Sequence, residues 1–270
     1  MNKLLLAHAL LTRKENPIES IKKFFLIPQK IRYDDIYLVS FPKSGNTWIS
    51  FILSNIIIEK LKLFIDVNFF NIHGFIPDIH MGQDIPESLE FFPFKRMIKS
   101  HSSFHPAYKY VIYLVRDPRS VMVSYHKFLT GIGRYSEDLS TMIKDKRLGI
   151  HAWVNHLQSW IDGTIPSTRF NIFKFEDFKL QPDENTRKLA SLIGASLTDD
   201  EVNRIREKTN LEYMKGLEKV TGSLSTKKND QNFKFVRKGS ANSWKNELSE
   251  EDNLYIIKAA ERLMYQFNYI

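Results

Sequence analysis

Apolar and polar positions along the chain follow two periods in alternation. Asp35-Ile36-Tyr37-Leu38-Val39-Ser40 is a near-continuous apolar run, the pattern of a strand buried on both faces. Arg96 to Ser100, Tyr110 to Val115 and Arg169 to Phe175 read as three further strands, and Tyr110-Val111-Ile112-Tyr113-Leu114-Val115 gives the strongest signal. Thr47 to Ile58 is an apolar helix of about three turns that starts after the short turn Pro42 to Asn46. Pro118 stands where a helix accepts its first residue, and that helix is expected to reach about Phe128. Helical periodicity also covers roughly 149–162, 183–193, 198–208 and 249–266. Strands alternating with helices predict an α/β fold, a parallel central sheet flanked by helices on both faces. Ligands of such sheets bind outside the carboxyl ends of the strands.

The chain shows no internal repeat, low-complexity tract or Pro/Gly-rich linker. Residues 31–270 are therefore expected to form a single domain behind an N-terminal helical extension, 1–30. The opening Leu4 to Leu11 run resembles a signal peptide until His8 interrupts it. Arg13-Lys14-Glu15 then follow where a small-residue cleavage site should stand. A helix packed on the domain edge is the ordinary reading. A peripheral contact with lipid is the alternative, given Lys3, Arg13, Lys14, Lys22, Lys23 and Lys30. No segment reaches the ~18 apolar residues that span a bilayer.

Composition narrows the chemistry. With no cysteine among 270 residues, disulfides, thiolate metal sites and a cysteine nucleophile are excluded, and a reducing, cytoplasmic location is expected. Thirty-nine Lys and Arg against 31 Asp and Glu leave a charge of +8. Such a surplus predicts an anionic partner: nucleic acid, a membrane surface or a phosphorylated small molecule.

The strand ends discriminate among these. Phe41-Pro42-Lys43-Ser44-Gly45-Asn46-Thr47-Trp48 joins the first strand to its helix. Gly45 lets backbone approach a phosphate, the helix start presents unpaired N–H groups, and Lys43 adds a charge. In the Walker pattern Lys follows the second Gly; here Lys precedes the one Gly. The third strand ends in Arg116-Asp117-Pro118-Arg119-Ser120, with Ser124 eight residues beyond Arg116. An Arg fork and a hydroxyl can converge on one phosphate. Near the C-terminus, Arg237-Lys238-Gly239 offers another anion site. Taken singly, each segment has an ordinary explanation: a capped βα turn, a surface Arg–Asp pair, a solvated basic loop.

Together these segments resemble the sulfotransferase family, which moves a sulfuryl group from 3′-phosphoadenosine 5′-phosphosulfate (PAPS) to a hydroxyl or amine. Pro42 to Trp48 is similar to the family's 5′-phosphosulfate loop. Arg116 and Ser124 match its 3′-phosphate ligands, and Arg237-Lys238-Gly239, running on to Trp244-Lys245-Asn246, matches its C-terminal motif. Lys99-Ser100-His101 stands where the family carries its catalytic base. The Trp153-Val154-Asn155-His156 run with Trp160, and Phe175-Glu176-Asp177, are similar to further landmarks. The resemblance covers about 35–267 and implies the P-loop-NTPase-like sulfotransferase fold.

It also implies roles. His101 would be the general base, since a neutral imidazole suits proton removal from an alcohol. Lys43 would neutralise charge on the departing adenosine 3′,5′-bisphosphate (PAP), and Lys99 would contact the sulfuryl oxygens. Ser44, Gly45, Asn46 and Thr47 would hold the 5′-phosphate. Trp48 would stack on adenine, with Thr209 in the stretch bracketing it. Leu211 replaces an aromatic residue there, Phe175 a Tyr, and Asn242 a Gly of the C-terminal loop. His101 and His105 form a His-x-x-x-His pair, but Pro106 and the lack of a Glu argue against a zinc helix, so no metal is expected.

The acceptor is open. Phe69, Phe70, Phe75, Phe91 and Phe92, between the first two core strands, are expected on the substrate side, suiting a phenol, steroid or lipid alcohol. A carbohydrate is equally open. At the family's dimer motif, Ser249, Glu250 and Leu254 depart from the usual residues, leaving the oligomeric state undecided. Two other readings remain: a P-loop kinase or NTPase using the same cradle, and a non-catalytic basic module for nucleic acid or membrane. Three cation clusters around one bis-anionic nucleotide would account for much of the net charge, which weakens the nucleic-acid reading, since that function wants a continuous basic stripe with exposed aromatics; Lys227-Lys228 reads as a solvated face.

Overall fold

The structure is a computed structural model that describes residues 31–81, 85, 91, 93–222, 234–236 and 243–270. The extension 1–30, Phe92, Lys227-Lys228, Arg237, Lys238, Gly239 and Asn242 lie outside the described residues.

Four parallel strands form the sheet: β1 (Ile36–Val39), β2 (Met97–Ser100), β3 (Tyr110–Val115) and β4 (Arg169–Lys174), in the order β2-β1-β3-β4. The continuous apolar runs arise because alternate residues enter different cores. Ile36, Leu38, Ile112 and Leu114 join one cluster, and Tyr37, Val39, Val111, Tyr113 and Val115 join the other. Along β1 and β3 both faces are covered, as purely parallel sheets require.

The first core is closed by α1 (Asn46–Leu61), whose residues Ile49 to Ile58 are all buried. A helix apolar all round belongs inside a domain. It runs one turn past the expected end. The second core is built on α3 (Pro118–Gly131), α5 (Ile150–Gly163) with buried Trp153 and Trp160, and the C-terminal helix α10 (Glu250–Gln266). Pro118 opens α3 as expected, with Asp117 as N-cap accepting from the Arg119 N–H.

Short elements went unread in the sequence: α2 (Ile72–Phe75), α4 (Leu139–Lys144), α6 (Phe175–Leu180) and α9 (Leu211–Thr221). The helices α7 (Pro182–Leu192) and α8 (Asp199–Thr209) match expectation, α8 beginning in a Thr198–Glu201 capping box. The expected first strand begins one residue late because Asp35 has another task. Its carboxylate accepts from Arg96 Nε and Nη2, both at 2.7 Å, with neither side chain exposed. This buried fork ties the starts of β1 and β2.

The chain runs from β1 outward to β2 and then back to β3 on β1's other side. The loop after β1 therefore sits at the sheet's switch point, where carboxyl-end crevices open.

Candidate active site

Strand register brings three candidate segments to one end of the sheet. Val39 pairs with Ser100 on one side and Tyr113 on the other. The next residues, Ser40 and His101, are therefore neighbours, and the loop 41–45 emerges between the ends of β2 and β3.

That loop is shaped by backbone conformation. Gly45 has φ +104°, and Lys43, though not glycine, has φ +69°. A Cβ on Gly45 would lie 2.5 Å from the Phe175 ring, so both torsion and space demand glycine. Successive turns of opposite hand form a concavity of N–H groups suited to anions. Ile49 N–H is bonded to Gly45 O at 3.2 Å. The N–H groups just before it have no partner within the helix by its geometry. The Ser44 hydroxyl and Asn46 Oδ1 are buried without a hydrogen-bond partner among the described residues, a state that costs free energy until something fills it. The Asn46 Nδ2 faces inward, donating to Leu38 O (3.2 Å) and Ser40 Oγ (3.1 Å). As a donor to a ligand, this residue is thus left with its backbone N–H.

The cations gather around the loop. The guanidinium of Arg116 lies 4.3 Å from the Phe175 ring centroid, and its Nη1 donates to Lys43 O at 3.1 Å. Arg116 and Ser124 are both buried on the loop after β3 and on α3. The Lys43 ammonium rests between two rings, 4.1 Å from Phe128 and 4.0 Å from Phe235. Phe235 stands two positions before Arg237. Glu218 of α9 fixes it there, its carboxylate accepting from the Phe235 and Val236 N–H groups at 2.6 and 2.8 Å.

The adenine candidates are also adjacent. Trp48 Nε1 donates to Thr209 O at 2.8 Å, and Lys179 covers the Trp48 ring at 4.5 Å. Beside them is a pocket of about 180 Å³, lined by Trp48, Lys179, Arg206, Thr209, Asn210 and Leu211, among others. Phe175 lies in the core beneath Gly45 rather than in this pocket.

His101 is held at several points. Its Nδ1 lies 2.7 Å from Ser40 O. A carbonyl only accepts, so Nδ1 carries the proton and Nε2 keeps a lone pair. Burial and the nearby Lys99 cation hold the imidazole well below its usual pKa, against the opposing Asp78 charge. It is therefore neutral at neutral pH. Its carbonyl faces His156 Nε2 at 3.2 Å, and Tyr113 Oη meets His156 Nδ1 at 2.8 Å.

Lys99 is engaged in an ion pair that sequence reasoning missed. Its ammonium sits 2.8 Å from buried Asp78. Burial works to raise the Asp78 pKa, but the Lys99 charge and hydrogen bonds from the Lys99 ammonium and the His80 N–H outweigh it and hold the carboxyl well below the usual range. Asp78, His80 and His156 lacked any signal beyond Asp-x-His and Trp-x-x-His spacings.

The aromatic stretch expected to face substrate divides. Phe69 and Phe75 are core residues, whereas Phe64 and Phe70 face solvent. Their order along the chain does not report which way each ring turns. No helix among the described residues is long and apolar enough to cross a membrane. Among the same residues, no cluster of three or more His, Asp and Glu side chains has metal-binding geometry.

The sulfotransferase domain profile matches residues 33–268. Sulfotransferase 1B1 of Canis lupus familiaris is 30% identical over 258 residues, covering 88% of this chain and 84% of the relative. Sulfotransferase 2A2 of Rattus norvegicus is 27% identical over 246 residues, covering 86% and 83%. Among solved structures, retinol dehydratase in a complex with retinol and PAP superposes with a TM-score of 0.67 at 18% identity, covering 90% of this chain and 85% of that one. Mouse sulfotransferase SULT7A1 complexed with PAP gives 0.62 at 21% identity, covering 87% and 85%. These structures share the fold.

Proposed function

Because the chain belongs to the sulfotransferase family, we propose that it transfers a sulfuryl group from PAPS to a hydroxyl-bearing small molecule, with His101 as the base. The observation that carries this reading is the Nδ1–H bond from His101 to Ser40 O, which leaves a neutral Nε2 one strand away from the Lys43–Trp48 loop.

The residues fit such a donor. A phosphate in the loop would satisfy the buried Ser44 hydroxyl, and the N–H groups of Gly45 to Trp48 would hold it. Arg116 and Ser124 would take the 3′-phosphate, joined by Arg237, Lys238 and Gly239. Trp48 and Thr209 border a pocket whose apolar walls and flanking cations suit an adenine. When bound, PAPS supplies the transferable sulfuryl group and a stable bisphosphate leaving group. His101 Nε2 takes the acceptor's hydroxyl proton. Lys43 and Lys99 contribute fixed positive charge, the kind of preorganised field that lowers such barriers. Lys99 keeps donors for a ligand beyond the one engaged by Asp78.

The reading places one catalytic domain at 31–270 in the cytoplasm, with a small-molecule acceptor of phenolic, lipid or carbohydrate type and no role for nucleic acid. The test is a thermal-shift comparison of PAP, ATP with magnesium, and buffer. PAP at about 100 times its Kd should add ~2.7 kcal/mol of apparent stability. A shift with ATP and none with PAP would replace the reading with the kinase alternative. A response to polyanions that collapses with salt would favour a binding module.

A further inference from the structure

We infer that Asp78 and His80 are positioning residues for transfer, a clamp on the outer edge of β2 that sets both Lys99 and His101. The inference rests on the reading of His101 as base. The segment around Asp78 attaches to β2 by one parallel bridge, Asp78 opposite Lys99, with Lys99 N–H donating to Pro77 O at 2.8 Å. This puts the Asp78 carboxylate beside the Lys99 ammonium, where one carboxylate does two things. Oδ2 pairs with Lys99 Nζ at 2.8 Å, and Oδ1 accepts the His80 N–H at 2.9 Å, closing the turn that aims the His80 ring. The His80 Nε2 then accepts the peptide N–H of His101 at 2.7 Å. An acceptor nitrogen bears no proton, so this imidazole is neutral and donates through Nδ1 alone.

His101 is thereby fixed by bonds from different parts of the chain. Ser40 O orients the ring, His156 Nε2 meets the carbonyl, and His80 Nε2 holds the N–H. Since β2 ends at Ser100, the His101 N–H has left the strand ladder, and His80 supplies the partner that a next strand would have given. Loss of that bond frees the 100–101 peptide to rotate, and a displacement near 1 Å at a reacting group costs on the order of 100-fold in rate. The donor loop and Arg116 belong to other elements, so the donor's phosphate contacts should be untouched.

The test measures label transfer from ³⁵S-PAPS to 2-naphthol, cholesterol and N-acetylglucosamine by the full chain. His80→Ala should lower kcat about 10- to 100-fold with KM for PAPS within twofold. His80→Gln, whose amide oxygen reaches the same N–H, should recover to within about fivefold of the parent. Asp78→Asn, which keeps an acceptor for His80 N–H but loses the charge facing Lys99, should fall between them. Unfolding midpoints should agree across the set, which separates positioning from general loss of structure. Unchanged kcat in His80→Ala, beside an inactive His101→Ala, overturns the clamp and leaves the base in place. Full activity in His101→Ala overturns the base itself. If none of the three acceptors is turned over, ¹⁵N shifts of the His101 ring decide. A change in tautomer ratio in His80→Ala that Gln restores supports the clamp, and no change in His80→Ala overturns it.

Discussion

Gly45→Ala perturbs the phosphate loop at its tightest point. Alanine at φ +104° would adopt a backbone that L side chains disfavour, at a cost of about 1–2 kcal/mol. The new Cβ would also stand 2.5 Å from Phe175 Cδ2 and 2.9 Å from Cε2, with Leu114 at 3.4 Å. Phe175 cannot swing freely, since the Arg116 guanidinium lies 4.3 Å from its ring, and overpacking of this kind costs about 1–3 kcal/mol. The expected loss is ~2–5 kcal/mol in urea unfolding, together with weaker PAP binding by calorimetry. A double-mutant cycle with Phe175→Leu isolates the cause. Removing the ring should relieve the steric part and leave the torsional part, giving a favourable coupling of about 1–2 kcal/mol. Strictly additive losses would refute the argument that the Phe175 contact makes glycine necessary there.

Other expectations follow from buried polar groups. Arg96→Met strands the Asp35 carboxylate, whose partner lies at 2.7 Å with no exposure of either side chain. It should cost about 3–5 kcal/mol in denaturant unfolding, much of it recovered by adding Asp35→Leu. Burial pushes His156 down to about 4, against the opposing hydrogen bonds to the His101 and Ser102 backbone. Between the unfolded value and about 4, the unfolded chain binds the extra proton, so stability falls as pH drops through that window. The slope from this residue approaches ~1.4 kcal/mol per pH unit. Urea midpoints at pH 7 and pH 5 should therefore converge in His156→Gln relative to the parent, and an unaltered slope would assign the acid sensitivity elsewhere.

The sheet was legible because burial on both faces writes itself into sequence as unbroken apolar runs, at 36–39 and 110–115 above all. The loop at 42–48 was legible for a different reason: glycine and proline mark backbone conformation directly. The ion pair of Lys99 with Asp78 was not, because its partners are 21 residues apart and meet through one isolated bridge. The same holds for His80 and His156, which act on His101 through backbone atoms that carry no residue identity. Phe175 read as the end of a strand because an aromatic fits that pattern. Instead it opens α6 and supports Gly45 from below. The helix α9 carries Leu211, Met214 and Leu217 at helical spacing, a stripe whose signal Gly216 weakens from within.

The central claim is that His101 removes the acceptor's proton beside a donor held by the Lys43 loop. Single-turnover transfer from ³⁵S-PAPS by the parent and by His101→Ala, with PAP affinity measured on both, tests it most directly. The variant should bind PAP within a few-fold of the parent while transfer falls by about 10²–10⁴. Transfer at the parent's rate by His101→Ala would contradict it.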